Sequence, residues 1–99
     1  MSDIKIKIKN KGNLLANANV EMHTSEYGMI IIKDFAIWKS AYLNERLGEH
    51  INIEPPTLFK GVRYFPKVYF EDSMCWEALE SQIYDAYKDK LDKGEGVNR

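Results

Sequence analysis

Residues 29–38 have the sequence MIIIKDFAIW and form the most apolar stretch of this 99-residue chain. A continuous apolar run of this length is typical of a strand in the interior of a sheet. Asp34 is the exception, because an acid in such a strand needs either a charged partner or a bulge that turns it towards water. We expect an ion pair between Asp34 and Lys33 or a lysine of a neighbouring strand, rather than a proton-transfer role.

Two strands are predicted on the N-terminal side of this segment. Ile4, Ile6 and Ile8 alternate with lysines, which indicates a strand with one buried face and a charged face that protects a sheet edge. Residues 14–22 form the second strand, and the small side chains on its apolar face lead us to expect a helix packed closely over it. The members of that apolar face are Leu14, Ala16, Ala18, Val20 and Met22.

Shorter elements are predicted on the C-terminal side. Residues 40–49 are polar and fit either a loop or one helical turn. Residues 51–53 form a short strand that two consecutive prolines end, since proline cannot donate a ladder hydrogen bond. Residues 57–61 turn the chain. Residues 63–70 form the last strand, in which an internal proline indicates an edge position or a bulge.

A helix follows, with Asp72 or Ser73 as its N-terminal cap and Gly94 as its end. A run of strands followed by one helix predicts an α+β fold, with a twisted antiparallel β-sheet of about five strands and one C-terminal helix packed on it. We expect a single domain over residues 1–93 and a flexible tail over residues 94–99. The apolar side chains at helical spacing, which form a stripe facing the core, are Trp76, Leu79, Ile83, Ala86, Tyr87 and Leu91.

The overall composition limits the classes of function. With 14 basic and 15 acidic residues the formal net charge is −1, which argues against a protein that coats DNA by bulk charge. A nucleic-acid site must then be a local patch. The single cysteine, Cys75, excludes a disulfide within the chain and favours a reducing, cytoplasmic location. No apolar run approaches the roughly 20 residues needed to cross a bilayer, so we expect no membrane partner.

Positive charge is concentrated in residues 60–70 (KGVRYFPKVYF), where Lys60, Arg63 and Lys67 occur among four aromatic residues and no acid. Phosphates bind cations, and unpaired bases stack on aromatic rings. The segment therefore indicates a nucleic-acid site in which Tyr64 or the adjacent phenylalanine stacks on a base. The alternative is a half-buried strand whose polar residues face water.

Catalytic and metal chemistry find little support. Cys75 could act as a nucleophile with His23 or His50, but the sequence indicates no activating geometry, and we expect Cys75 to be buried and inert beside Trp76. One cysteine and two histidines do not make a four-ligand zinc set, and the chain has no glycine-rich phosphate loop. We predict no enzymatic activity, cofactor, metal or small-molecule substrate. The acids of the helix predict a solvated face: Glu77, Glu80, Asp85 and Asp89.

The order of these segments is similar to that of the stage V sporulation protein G (SpoVG, septation protein) family over roughly residues 14–90. The run GMIIIKDFAIW resembles the apolar strand of that family that leads into an aspartate, at the place of Asp34. INIEPP resembles its short strand that ends at a proline, matched by Pro55. Residues 60–87 (KGVRYFPKVYFEDSMCWEALESQIYDAY) follow its plan of a basic loop, a strand led by an aromatic residue, and a terminal helix that ends near a tyrosine.

The resemblance implies a small α+β homodimer whose sheet edges meet across the two-fold axis. It also implies a regulator that binds preferred DNA sites, or in some members RNA, in bacterial septation, sporulation and gene control. By position, Lys60, Arg63 and Lys67 inherit the binding role of the family's basic residues. The helix start departs from the family because it is acidic, which points to a second candidate basic surface on the first strand, formed by Lys5, Lys7 and Lys9.

Two hypotheses of function follow. The first is a small dimeric nucleic-acid-binding regulator, with DNA as the expected ligand and homodimerisation through paired sheet edges. The second is a non-enzymatic protein–protein interaction module. The near-zero net charge, the acidic helix and the many aromatic residues favour the second, because aromatic side chains are enriched at protein interfaces.

Overall fold

The computed structural model describes residues 2–93 and has an α+β fold. The predicted fold class is confirmed, with antiparallel strands followed by one C-terminal helix that packs on the sheet. The predicted tail, residues 94–99, lies outside the described residues. The large sheet has the order β1-β2-β3-β4, with β1 (Ser2–Lys11), β2 (Leu14–Thr24), β3 (Gly28–Asn44) and β4 (Glu49–Glu54). A separate hairpin and the helix follow as β5 (Thr57–Lys60), β6 (Arg63–Pro66) and α1 (Ser73–Asp92).

One face of the large sheet carries the core, because alternate residues of its strands point to the same side. Ala16, Ala18 and Val20 of β2 are fully buried, and the small alanines lie in one apolar cluster with side chains of α1, as the sequence predicted. A register shift between Leu14 and Ala16 places Leu15, rather than Leu14, against this core. The isoleucines of β1 are partly buried against it. The remaining buried members are Phe35, Ile37, Ile51, Ile53, Leu79, Ile83 and Tyr87.

The helix begins as the sequence predicted. The Asp72 carboxylate accepts hydrogen bonds from the backbone N–H of Met74 at 2.8 Å and of Cys75 at 3.4 Å, which satisfies two of the free donors at the helix start. Trp76 turns inward, and its ring stacks on Phe35 with 6.3 Å between ring centroids. Cys75 is exposed, so the prediction that it is buried is wrong. One residue is about 100° of helical rotation, and Trp76 takes the inward direction.

Asp34 lies on a bulge of β3. Val20 pairs with Ile32 and Ala18 with Phe35, so β3 carries one extra residue there. Asp34 has a φ of 70°, is exposed, and donates its N–H to Asn19 Oδ1 at 3.1 Å. Of the two arrangements that an acid in this strand allows, the structure therefore has the bulge that turns the carboxylate towards water. The prediction of an ion pair is wrong, because Asp34 forms none with the residues that the structure describes.

Three segments differ from the sequence predictions. Residues 40–44 extend β3, and a turn over residues 45–48 leads into β4. The predicted turn at residues 57–61 is largely the strand β5. The last strand ends at Pro66 rather than Phe70 because it pairs only with the four residues of β5, where Pro66 lies opposite Thr57. The hairpin closes with a two-residue turn whose first position, Gly61, has the positive φ of 67° that such turns require.

Candidate functional site

Residues 57–66, which we call the hairpin arm, bring the predicted basic and aromatic residues together. Lys60 and Arg63 are cross-strand partners on either side of the turn, so their side chains share one face of the arm. The Arg63 guanidinium carbon lies 5.5 Å from the ring centroid of Phe65 on that face. On the other face the rings of Phe59 and Tyr64 meet in a tilted pair, with centroids 4.8 Å apart. The cations of the arm therefore share one face with Phe65, and the Phe59–Tyr64 pair lies on the other face.

Both faces of the hairpin arm are exposed. Tyr64 is 71% exposed and Val62 is 91% exposed, and every other residue of β5 and β6 is exposed as well. The alternative interpretation, a half-buried strand, is wrong for this part of the chain. The reason is that β5 and β6 pair only with each other and leave the large sheet without a fifth strand.

Two adjacent cavities of about 680 and 540 Å³ lie where the hairpin arm meets the large sheet. Both are lined by Trp38, Pro55 and Thr57, and we call the combined depression the hairpin groove. Its floor is the face of the sheet away from α1, since Trp38 follows the buried Ile37 along β3. The groove is large enough for a small molecule or for part of a polymer chain.

Cations lie along the hairpin groove as well as on the arm. Lys39 lines the larger cavity, and Lys33 and Lys67 line the smaller one together with Asp34. Lys67 comes after the end of β6, where its backbone N–H donates to the carbonyl of Pro56 at 2.8 Å. The predicted residue Lys67 is therefore part of the groove rather than of the arm.

The second predicted basic surface lies on another part of the molecule. Lys5, Lys7 and Lys9 are exposed on β1, and they point away from the core because Ile4 and its alternate neighbours face it. They share the α1-free face with the hairpin groove, but β2 and β3 separate β1 from the strand that leads into the arm. Lys5 Nζ lies 3.6 Å from Glu21 Oε2, which offsets part of this charge. The structure thus divides the predicted site residues into two patches.

Sequence reasoning missed the groove residues Trp38, Lys39 and Asn52. The apolar residues that identify their strands mark only the buried side of the sheet. The pattern Ile51–Asn52–Ile53, in which both isoleucines are buried, could have placed Asn52 on the outer face of the sheet. No local pattern shows that the arm lies beside this face.

The helix side of the sheet carries a different polar cluster. Glu80 is only 2% exposed and accepts hydrogen bonds from Arg46 Nε at 3.0 Å and Nη2 at 2.7 Å, and from Asn44 Nδ2 at 3.3 Å. The prediction that Glu80 belongs to a solvated helix face is wrong, because the β3–β4 turn covers it. The hydrogen bond to Glu80 raises the pKa of Arg46. These contacts fix the turn to α1 and lie on the opposite face of the sheet from the hairpin groove.

A neighbouring group of this cluster joins Glu49 to the helix. The hydroxyl of Tyr84 donates to Glu49 Oε2, and Lys88 Nζ lies 3.1 Å from the same oxygen. The hydrogen bond from Tyr84, and then that from Lys88, lowers the pKa of Glu49. The same contacts raise the pKa values of Tyr84 and Lys88. Asp89 and Lys93 form an exposed ion pair at 2.9 Å at the C-terminal end of α1.

Two classes of feature are absent from residues 2–93. No group of three or more His, Cys, Asp and Glu side chains is arranged to hold a metal ion there. The one helix in that range, α1, is not apolar enough to cross a membrane.

Comparisons with protein-family models, with curated proteins and with solved structures found no match to this chain. The resemblance to the SpoVG family rests on the quoted segments and their order, and it stays a prediction.

Proposed function

We propose that this protein is a small cytoplasmic regulator of the SpoVG type that binds nucleic acid through the hairpin arm and the hairpin groove. The observation that carries the proposal is the pairing of Lys60 with Arg63 on an exposed arm among exposed aromatic rings. No acidic residue occurs between Glu54 and Glu71, so nothing in that segment offsets the positive charge.

The charges of the arm are available to a ligand. Within residues 2–93 neither Lys60 nor Arg63 forms a salt bridge, whereas Lys88 of the helix is paired with Glu49. When such side chains bind to phosphates, they release the cations condensed on the nucleic acid, which makes affinity depend steeply on salt. The near-neutral net charge of the chain leaves the local field of the arm and groove as the source of attraction.

The exposed rings favour unpaired bases over a duplex. Tyr64 and Phe59 are exposed on the face of the arm opposite Lys60 and Arg63, and stacking of one base on an aromatic ring contributes about 1–3 kcal/mol. We propose single-stranded DNA as the preferred ligand, with single-stranded RNA as the closest competitor.

We also propose a homodimer formed by sheet edges. β1 is an edge strand of the large sheet, and its outer side has no strand partner within the described chain. Pairing of two β1 strands would continue the sheet across a two-fold axis and give each dimer two arms.

Fluorescence anisotropy with labelled single-stranded DNA, single-stranded RNA and duplex DNA, titrated with salt, tests the proposal. The double variant Lys60→Glu/Arg63→Glu should lose roughly tenfold or more in affinity and show a shallower salt dependence. Lys7→Glu/Lys9→Glu makes the same change of charge on the second predicted basic surface, so the comparison shows which of the two patches binds the ligand. Sedimentation in the same buffer should give twice the mass of the chain.

Absence of binding by the folded wild-type protein at low salt contradicts the proposal. An equal loss in both double variants would mean that bulk charge, not the arm, determines affinity.

A protein-interaction module is the second candidate, and the exposed apolar residues favour it. Val62 at the arm turn and Leu58 on its strand are exposed, as are Met29 and Ile31 of β3. In that case Leu58→Ser/Val62→Ser should abolish binding of a protein partner, and charge reversal at Lys60 and Arg63 should have little effect on it.

A further inference from the structure

We propose that the larger cavity of the hairpin groove is a pocket for one unpaired guanine base. This inference rests on the proposed nucleic-acid function and specifies which base the site selects. The cavity of about 680 Å³ lies in the range of small-molecule sites, roughly 300–1,000 Å³. It is lined from the sheet by Trp38 and Asn52 and from the arm by Tyr64 and Pro66.

The pocket contains two aromatic side chains from different elements. Trp38 of β3 is partly buried, so the sheet fixes its position. Tyr64 of β6 is exposed and is supported by its tilted contact with Phe59. A flat aromatic ligand gains from contact with both rings, as nucleobases do on the aromatic residues of single-strand-binding proteins.

The polar groups of the pocket favour guanine over the other bases. Glu54 Oε2 accepts a hydrogen bond from Asn52 Nδ2 at 3.0 Å, which orients the carboxylate, and no other group in residues 2–93 donates to it. A carboxylate presents two acceptors side by side. Guanine offers two adjacent donors, N1–H and N2–H, whereas adenine, cytosine and thymine each offer donors from a single nitrogen on the pairing edge. Asn13 and Ser40 line the same cavity and can donate to the guanine O6.

The charge pattern favours a base that belongs to a strand. The carboxylate of Glu54 disfavours a phosphate inside the pocket, while Lys33 and Lys67 line the adjoining smaller cavity. A strand that places one base in the pocket can place its neighbouring phosphates on these lysines. A free guanine nucleoside has the same base chemistry, so the experiment includes it as a separate ligand.

The test measures the affinity of the protein for oligothymidylate strands that carry a single central guanine, adenine, cytosine or hypoxanthine. Guanine should bind roughly 5- to 100-fold more tightly than thymine, the range expected for two hydrogen bonds to one base edge. Hypoxanthine lacks the N2 amino group and should lose most of this gain. Glu54→Gln should bind the guanine and thymine strands equally, while Glu45→Gln, a carboxamide change in the exposed β3–β4 turn, should keep the preference.

Quenching of tryptophan fluorescence by guanosine, without a strand, tests the pocket independently. Equal affinity for all strands, or a preference that Glu54→Gln retains, overturns the guanine pocket and leaves strand binding in place. Guanosine binding that Tyr64→Ala removes, without affinity for any strand, supports the pocket with a free nucleoside as ligand and contradicts the nucleic-acid function. Failure of both strands and guanosine to bind overturns both proposals.

Discussion

The two faces of the large sheet use the same residue types in opposite ways. On the α1 side the ring of Trp76 stacks on the buried Phe35, and Glu80 accepts three hydrogen bonds, two from Arg46 and one from Asn44. The rings of the hairpin arm are exposed, and Lys60 has no charged partner in the described chain. Aromatic and charged residues stabilise the fold on one side and stay available on the other.

This difference separates stability from binding. Substitutions in the core and in the polar cluster on the α1 side should change the free energy of unfolding and have little direct effect on ligand binding. Substitutions in the hairpin arm should change ligand affinity and have little effect on the free energy of unfolding. Substitutions of the same type on the two sides can therefore break or sharpen the comparison.

The largest contrast is expected between two phenylalanines. Phe35→Ala removes a fully buried ring and should lower the free energy of unfolding by about 3–5 kcal/mol. Phe65→Ala, at an arm side chain that is 43% exposed, should lower it by less than about 1 kcal/mol. Urea denaturation followed by tryptophan fluorescence measures both. Similar losses for the two variants would mean that the arm is part of the core.

A smaller contrast is expected between two ion pairs. Arg46→Ala leaves the buried Glu80 carboxylate with Asn44 as its remaining partner and should cost about 2–3 kcal/mol of unfolding free energy. The matched control is Lys93→Ala, which breaks the exposed pair with Asp89 and should have little effect. The double variant Arg46→Met/Glu80→Leu should recover much of the loss. If Arg46→Ala left the free energy of unfolding unchanged, that result would contradict the structural role of the pair.

The smallest effect is a pH dependence at Glu49. Its pKa in the folded protein lies below the ordinary value of 4.5, because Tyr84 and Lys88 bond to its charged form. The stability from these bonds is fully present above pH 4.5 and is lost as the pH falls through the lowered pKa. Unfolding free energies measured from neutral to acidic pH should therefore fall less steeply in Glu49→Gln than in the wild type. Equal slopes in the two proteins would count against this assignment.

The large sheet and the helix were predictable because their patterns are local. Alternating isoleucines specified β1, and the spacing from Trp76 to Leu91 specified the inner side of α1. The Asp72 cap was one of two predicted candidates. The side to which Cys75 points was not predictable, because a shift of one residue rotates a side chain by about 100°.

The site was predictable only in part, because it depends on contacts between distant segments. The burial of Glu80 depends on Arg46, which lies 34 residues earlier in the chain. The cations of residues 60–67 stand out in the sequence, and the structure brings Lys60 and Arg63 together. The groove residue Trp38 belongs to an apolar strand, and only the path of the chain after Pro56 places the arm beside it.

The separation of the hairpin arm from the core has a consequence for evolution. None of the core residues, buried or partly buried, belongs to residues 57–66. A substitution in the arm therefore meets little constraint from folding, and selection there acts mainly through whatever the arm contacts. The sequences of related chains should therefore diverge fastest in the arm, while their sheets and helices stay alike. A new ligand preference can then arise without a change of fold.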